Sequence, residues 1–244
     1  MIEFYNEYHL GDNVFHLTFL RKLCALVDDN FVYYVHSMYL PELNKHIVGF
    51  EDRITLKGLE ERTPTAINAW IGEIYDKRTY EHKFLYDNFY VEWFNILTNK
   101  IYSKSFNITL HSDYPLFSKK LDGYEILFIN SVPMSGQFNY TDLLDDVVRI
   151  LSKKYHLIST RKVEGVECTL DKGMSLVDIG TLAANCRDIV GINGGPMSAC
   201  INQWAIQNVK SWIIADSRHS FSFNNVTHVN NFNELVIAIQ NKYK

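Results

Sequence analysis

The chain has 244 residues, 47% of them hydrophobic, with a formal net charge of −4 and a mean hydropathy of −0.14. That length buries a core as one large domain or two small ones. No run approaches the ~18 uninterrupted apolar residues of a membrane span, and the scattered Lys and Arg residues leave no electrostatic footprint for nucleic acid.

The first residues lack the basic-then-apolar layout of a signal peptide, Glu3 and Glu7 standing where positive charge is needed, so a cytoplasmic protein is expected. Cys24, Cys168, Cys186 and Cys200 form no CxxC pair and fall in apolar segments. They read as reduced core residues, and no metal site is expected.

Ile2 to Tyr5 predicts a strand. A polar loop, Asn6 to Asp12, leads into Val14, Leu17, Leu20, Leu23, Cys24 and Leu26 at helical spacing. Strand, loop and helix make the opening unit of a Rossmann-like half. Gly11 is the single glycine of this loop, so the GxGxxG fingerprint of NAD or FAD binding is missing. Asp12 closes the loop, either as a helix cap or as a general base at the mouth of a sheet. His9 and His16 flank it as surface residues or substrate contacts.

Phe31 to His36 predicts a second strand, with a turn at Ser37 and a short helix through Leu43, and Arg53 to Leu56 a third strand. Beyond Pro64, Ile67, Trp70, Ile71 and Ile74 suggest a helix. Leu85, Phe89, Trp93, Ile96 and Leu97 mark a stronger one, with Tyr80, Tyr86, Tyr90 and Phe94 assigned to other faces. These aromatics fit a thick core, a domain interface or a sugar-stacking platform. A domain boundary is placed between the polar stretch Thr109 to Pro115 and Lys119 to Gly123, giving domains 1–118 and 119–244.

A second β-first alternation follows. Glu125 to Ile129 is its strand, Asn130 to Phe138 its loop, Leu143 to Leu151 its helix, and Tyr155 to Thr160 the next strand. Arg161 to Lys172 reads as an irregular crossover. Ser175 with Asp178 forms a capping box opening the helix Leu176 to Ala184. Asp188 to Ile192 is the apolar run of a doubly covered parallel strand. Asn193-Gly194-Gly195-Pro196 then turns into a helix, Met197 to Ile206; the glycines permit positive φ and close backbone approach, and Pro196 suits a first helical turn. Ser211 to Ala215 is the next strand, and Asn231 to Lys244 a closing helix carrying Phe232, Leu235, Val236 and Ile239. A glycine turn opening a helix is either a tight connection or an anion-binding site made of N–H groups. The fold class expected is α/β, two Rossmann-like halves facing across a cleft.

Two stretches carry a family likeness. Tyr8-His-Leu-Gly-Asp-Asn-Val-Phe-His-Leu-Thr-Phe-Leu-Arg21 resembles the "GD, apolar residues, LR" opening of the ADP-heptose:lipopolysaccharide heptosyltransferases, glycosyltransferases of the GT-B fold. Asp188-Ile-Val-Gly-Ile-Asn-Gly-Gly-Pro-Met197, with Ser175-Leu-Val-Asp-Ile before it, resembles that family's late strand and glycine-proline turn. The resemblance implies inverting, metal-independent transfer of a sugar from a nucleotide-diphosphate donor to a hydroxyl of a glycan or lipid-linked acceptor, with no cofactor beyond the donor. Asp12 matches the catalytic base. Gly194, Gly195, Pro196 and Met197 match the diphosphate turn, with Asn130, Ser131 and Asn193 on the same donor side; Arg161, at the carboxyl end of a strand, is either a charged contact to the donor or an ordinary surface residue. His9, Gly11 and His16 fall on the acceptor side. The chain departs from the family at Asn193-Gly194, where Asp-Thr is common, at Ser198, where His is common, and in the Ser131 to Phe138 loop, which lacks the family's lysine. A nucleotide-sugar epimerase or hydrolase, and a non-catalytic nucleotide-sugar or glycan-binding protein, are the alternatives on this architecture.

Overall fold

The computed structural model describes residues 1–73, 84–108, 123–133, 142–217 and 219–244. It divides into two compact units, Met1–Pro115 and Leu116–Lys244. The expected boundary near residue 118 lies outside the described residues, as do Ile74, Tyr80 and Met134 to Phe138. No helix among the described residues is long and apolar enough to cross a membrane.

The first unit runs β1 (Ile2–Asn6), α1 (Leu10–Cys24), β2 (Phe31–Val35), α2 (Leu40–Leu43), β3 (Ile54–Gly58), β4 (Ile67–Asn68), the two-residue strand β5 (Phe84–Leu85) and α3 (Tyr86–Tyr102). Four strands pair in the order β3-β2-β1-β4, all parallel. The helix expected from Ile67 is replaced by strand pairing, Ile67 lying against Phe4, followed by the 3-10 turn Ile71–Glu73. Here the ladder outweighs a weak apolar period. On α3 the core-facing stripe is Tyr90, Trp93, Phe94 and Leu97, while Ile96 is 39% exposed. The aromatics assigned to other faces thus belong, at Tyr90 and Phe94, to the buried face. Phe94 stacks on Phe19 of α1 with centroids 4.7 Å apart. Arg21, the last residue of the family-like opening, is buried and donates to the carbonyl oxygen of His46. It fastens α1 to the turn that follows α2.

The second unit runs β6 (Ile126–Ile129), α4 (Asp142–Ser152), β7 (Leu157–Ser159), β8 (Glu167–Cys168), α5 (Leu176–Ala183), β9 (Asp188–Ile192), α6 (Gly195–Cys200), α7 (Gln203–Asn208), β10 (Ser211–Ala215), the short β11 (His219–Ser220), β12 (Val226–Val229) and α8 (Phe232–Lys242). Six of these strands form one parallel sheet, ordered β12-β10-β9-β6-β7-β8. One face packs Phe128, Val190 and Ile213 against Leu144 and Val148 of α4 and Leu235 and Ile239 of α8. Residues of the opposite parity, Leu127, Ile189, Trp212 and Ile214, are equally buried, so both faces are covered as parallel strands require. The capping box forms: Ser175 Oγ accepts from the Asp178 N–H and the Asp178 carboxylate accepts from the Ser175 N–H.

Two expectations are corrected here. The crossover Arg161 to Lys172 contains the edge strand β8. The single helix Met197 to Ile206 is two, because Ile201 leaves helical geometry (ψ 74°) and Asn202 caps a fresh start by accepting from the Ala205 N–H at 3.0 Å. The amino end of the sheet is tied by Asp188, a buried carboxylate that takes Arg187 Nε at 2.9 Å, the Tyr243 hydroxyl at 3.0 Å and Lys242 Nζ at 3.3 Å. This anchors the end of α8. All four cysteines are free and buried.

Candidate functional sites at two carboxyl edges

In order of appearance, the second sheet reads 3-2-1-4-5-6. Connections leave β6 and β9, its central neighbours, in opposite directions, opening a crevice at their carboxyl ends. The two loops there touch. A Cβ built on Gly194 would lie 3.6 Å from Pro133 Cβ and 3.8 Å from the Ser131 carbonyl oxygen. Thr160, after β7, accepts from the N–H of Asn130 at 3.1 Å and from Ser131 Oγ at 2.9 Å, joining a third loop to the pair.

The residues expected on the donor side separate into two layers. Gly194, Gly195, Pro196 and Ser131 are partly exposed and Arg161 is exposed. Met197 and Asn130 are fully buried and Asn193 nearly so. Asn130 is a strut, its Oδ1 accepting from the Arg161 N–H at 2.7 Å and its Nδ2 donating to the Arg161 carbonyl at 3.3 Å. Asn193 donates through Nδ2 to the buried carboxylate of Asp216. The side chains of Asn130 and Asn193 therefore shape the edge from beneath, a correction to their expected direct contact, while Met197 buries its side chain and keeps its backbone N–H at the turn. Asp216 was not anticipated; the signal for it is a polar residue ending the apolar run Ser211 to Ala215.

Of the two uses expected of the turn's glycines, positive φ is not taken. Gly194 is extended (φ −167°) and Gly195 opens α6, so neither uses positive φ. What they provide is bareness: a Cβ on Gly195 would meet nothing within 4 Å. The Ser198 N–H bonds the Gly194 carbonyl at 2.9 Å, leaving the earlier N–H groups of Gly195 and Met197 without intrahelical partners.

The first sheet has the same 3-2-1-4 beginning, with its crevice between β1 and β4. Asn6, ending β1, accepts from the Tyr8 N–H at 2.9 Å and bends the chain so early that α1 starts at Leu10. Gly11 and Asp12 consequently lie in the first helical turn rather than in the loop. The N-cap is His9, without a side-chain cap, so Asp12 is not the capping residue. Its Oδ1 accepts instead from the Tyr90 hydroxyl at 2.9 Å. Asn6, Asp12, Ala69, Ile71 and Tyr90 converge on one small space.

His9 and Gly11 are partly exposed, but His16 is 2% exposed, among Phe4, Phe19 and Tyr33. Its expected acceptor contact is corrected to a core position, because one turn beyond Asp12 the same helix face has passed beneath the surface. Neither ring nitrogen has a hydrogen-bond partner among the described residues. Burial pulls its pKa down to about 3. The unfolded chain, with His16 near 6.5, then binds a proton that the folded chain refuses, so stability falls as pH drops from about 6.5 toward 3. By pH 5 this amounts to about 2 kcal/mol. Urea midpoints at pH 7.5 and 5 are expected to show that loss in wild type and less of it in His16→Leu.

Compared by sequence, the chain matches no family model and no curated protein. Compared by structure, it resembles E. coli heptosyltransferase WaaC with ADP-2-deoxy-2-fluoro heptose at a TM-score of 0.59 and 11% identity, over 100% of this chain and 99% of that one. A glycosyl transferase of family 9 from Veillonella parvula aligns at 0.55 and 11% identity, over 99% and 89% of the two chains. The iron-containing dodecameric glycosyltransferase TibC of enterotoxigenic E. coli aligns at 0.55 and 11% identity over 93% of this chain, which spans only 61% of TibC's length. The chain has a heptosyltransferase-like α/β fold of two parallel sheets, and its low identity makes it a divergent version.

Proposed function

We propose that the protein is a glycosyltransferase that moves a sugar from a nucleotide-diphosphate donor to a hydroxyl of a glycan or lipid-linked acceptor. The observation that carries this is the second unit's crevice, where the bare Gly194-Gly195 turn and the first N–H groups of α6 stand against the β6 loop. A diphosphate suits such a place, since oriented N–H groups stabilise its charge and that of the departing group without reorganising. Ser131 and Arg161 flank it. Solved structures of the same fold include a heptosyltransferase with ADP and one with an ADP-heptose analogue, which supports a nucleotide-diphosphate donor as the ligand class. On the first unit, Asp12 serves as the base that takes the acceptor proton, which favours inversion in a single displacement. The donor is the one small molecule the reaction needs, and no metal enters this scheme.

Calorimetric titration with nucleoside diphosphates, and transfer assays with their sugars, test the reading. Gly195→Val adds bulk where nothing opposes it, so the fold should persist while nucleoside-diphosphate affinity falls at least tenfold, or about 1.4 kcal/mol. Unchanged affinity would put the diphosphate elsewhere. Donor breakdown without an acceptor would instead favour a hydrolase or epimerase.

A further inference from the structure

Two aromatic rings stand at the mouth of the first sheet. Tyr8 follows β1 and Trp70 follows β4, and the rings stack with centroids 3.7 Å apart and planes 18° from parallel. Both are partly exposed. The stacked pair Phe19–Phe94 of the same unit is buried, and its role is packing.

The exposed pair is held by repeated local devices. The strand-ending Asn6 accepts from the Tyr8 N–H and the strand-ending Asn68 from the Trp70 N–H, each at 2.9 Å. Trp93 Nε1 donates to the carbonyl oxygen of Ala69 at 2.9 Å, fixing the segment that carries Trp70 to α3. The Trp70 indole lies over Gly72, where any Cβ would collide with the ring. Two large rings kept partly in water, on backbone so firmly placed, forgo burial that a core would reward.

The surroundings say what would complete them. Asp12 lines, with Ala69 and Ile71 on either side of Trp70, a gap too narrow to hold a water molecule, and Glu7 is exposed beside Tyr8. An aromatic face with carboxylates nearby fits a ligand with an apolar C–H face and a rim of hydroxyls, and it repels phosphate or carboxylate groups. We infer that the Tyr8–Trp70 pair is the platform for a neutral saccharide ring, the acceptor class of this protein. The assignment of this edge to the acceptor rests on the function proposed above.

The test is binding of the full chain to an array of neutral hexose oligosaccharides beside uronic-acid and phosphorylated ones. Wild type is expected to prefer neutral members. Tyr8→Ala and Trp70→Ala should each lose at least tenfold in affinity, whereas Tyr8→Phe, and Trp204→Phe at a partly exposed position on α7 of the second unit, should retain it. Tyr8→Phe keeps the ring, so it preserves the test if an alanine variant fails to fold. Absence of saccharide binding, preference for anionic members, or affinity indifferent to both alanine changes would overturn the inference. Nucleoside-diphosphate titration of the same samples separates the two readings. Saccharide binding without diphosphate binding supports the platform and sinks the transferase, and the reverse sinks the platform alone.

Discussion

Asp12→Asn is expected to lower turnover by roughly 10²–10⁴-fold while leaving the melting temperature and nucleoside-diphosphate affinity as in wild type. The substitution keeps an oxygen for the Tyr90 hydroxyl, now bonded to Oδ1 at 2.9 Å, so the local fold retains its contact. It does not disturb the helix cap, which is His9. What it removes is a group able to take a proton. The acceptor hydroxyl must lose its proton as it attacks, and no oxygen of an asparagine amide is basic enough to receive it. Tyr90→Phe is the companion variant: it removes this hydrogen bond and leaves the carboxylate, and should lower turnover far less than Asp12→Asn does. Turnover of Asp12→Asn equal to wild type, measured with any active donor and acceptor pair, would end the role of Asp12 as base.

Gly191→Ala is expected to destabilise the protein by about 3–5 kcal/mol, a large part of the roughly 5–15 kcal/mol that holds a domain folded. Gly191 sits in β9 opposite Ile129 of β6, the two central strands. Its φ of +148° is one that side chains rarely adopt. A Cβ there would overlap the Ile129 carbonyl oxygen and come within 2.7 Å of its carbon and 2.8 Å of its Cα. These are backbone atoms of a buried sheet and have nowhere to move. Gly195→Ala makes the contrast, since that Cβ meets nothing within 4 Å and should change stability by no more than about 0.5 kcal/mol. Denaturant midpoints of the two variants decide the matter; a cost below about 1 kcal/mol at Gly191 would mean the strands do not approach so closely.

Sequence alone determined the elements whose signals are local. The capping box at Ser175 and Asp178, the apolar run Asp188 to Ile192 and the β-first order of both units are set by backbone hydrogen bonding and side-chain period within a few residues. They needed no partner to be legible. The place of the glycine-proline turn was legible for the same reason, since glycines break both strand and helix and Pro196 has the φ of a first helical turn.

Tertiary structure decided everything that depends on a partner distant in sequence. Ile67 is a strand because Phe4 lies beside it, and His16 is core because Phe4, Tyr33 and Phe19 surround it. Asp12 is oriented by Tyr90, from 78 residues further along the chain. Asn130 and Asn193 are struts because Arg161 and Asp216 come from neighbouring strands. In the late strand and its turn, the glycine that sterics demand is Gly191, where local pattern showed only an apolar run, rather than Gly194 or Gly195. A local pattern fixes what the backbone does over one turn or one strand. Which face is buried, and which polar group is already satisfied, follows from contacts that exist only once the sheets have assembled.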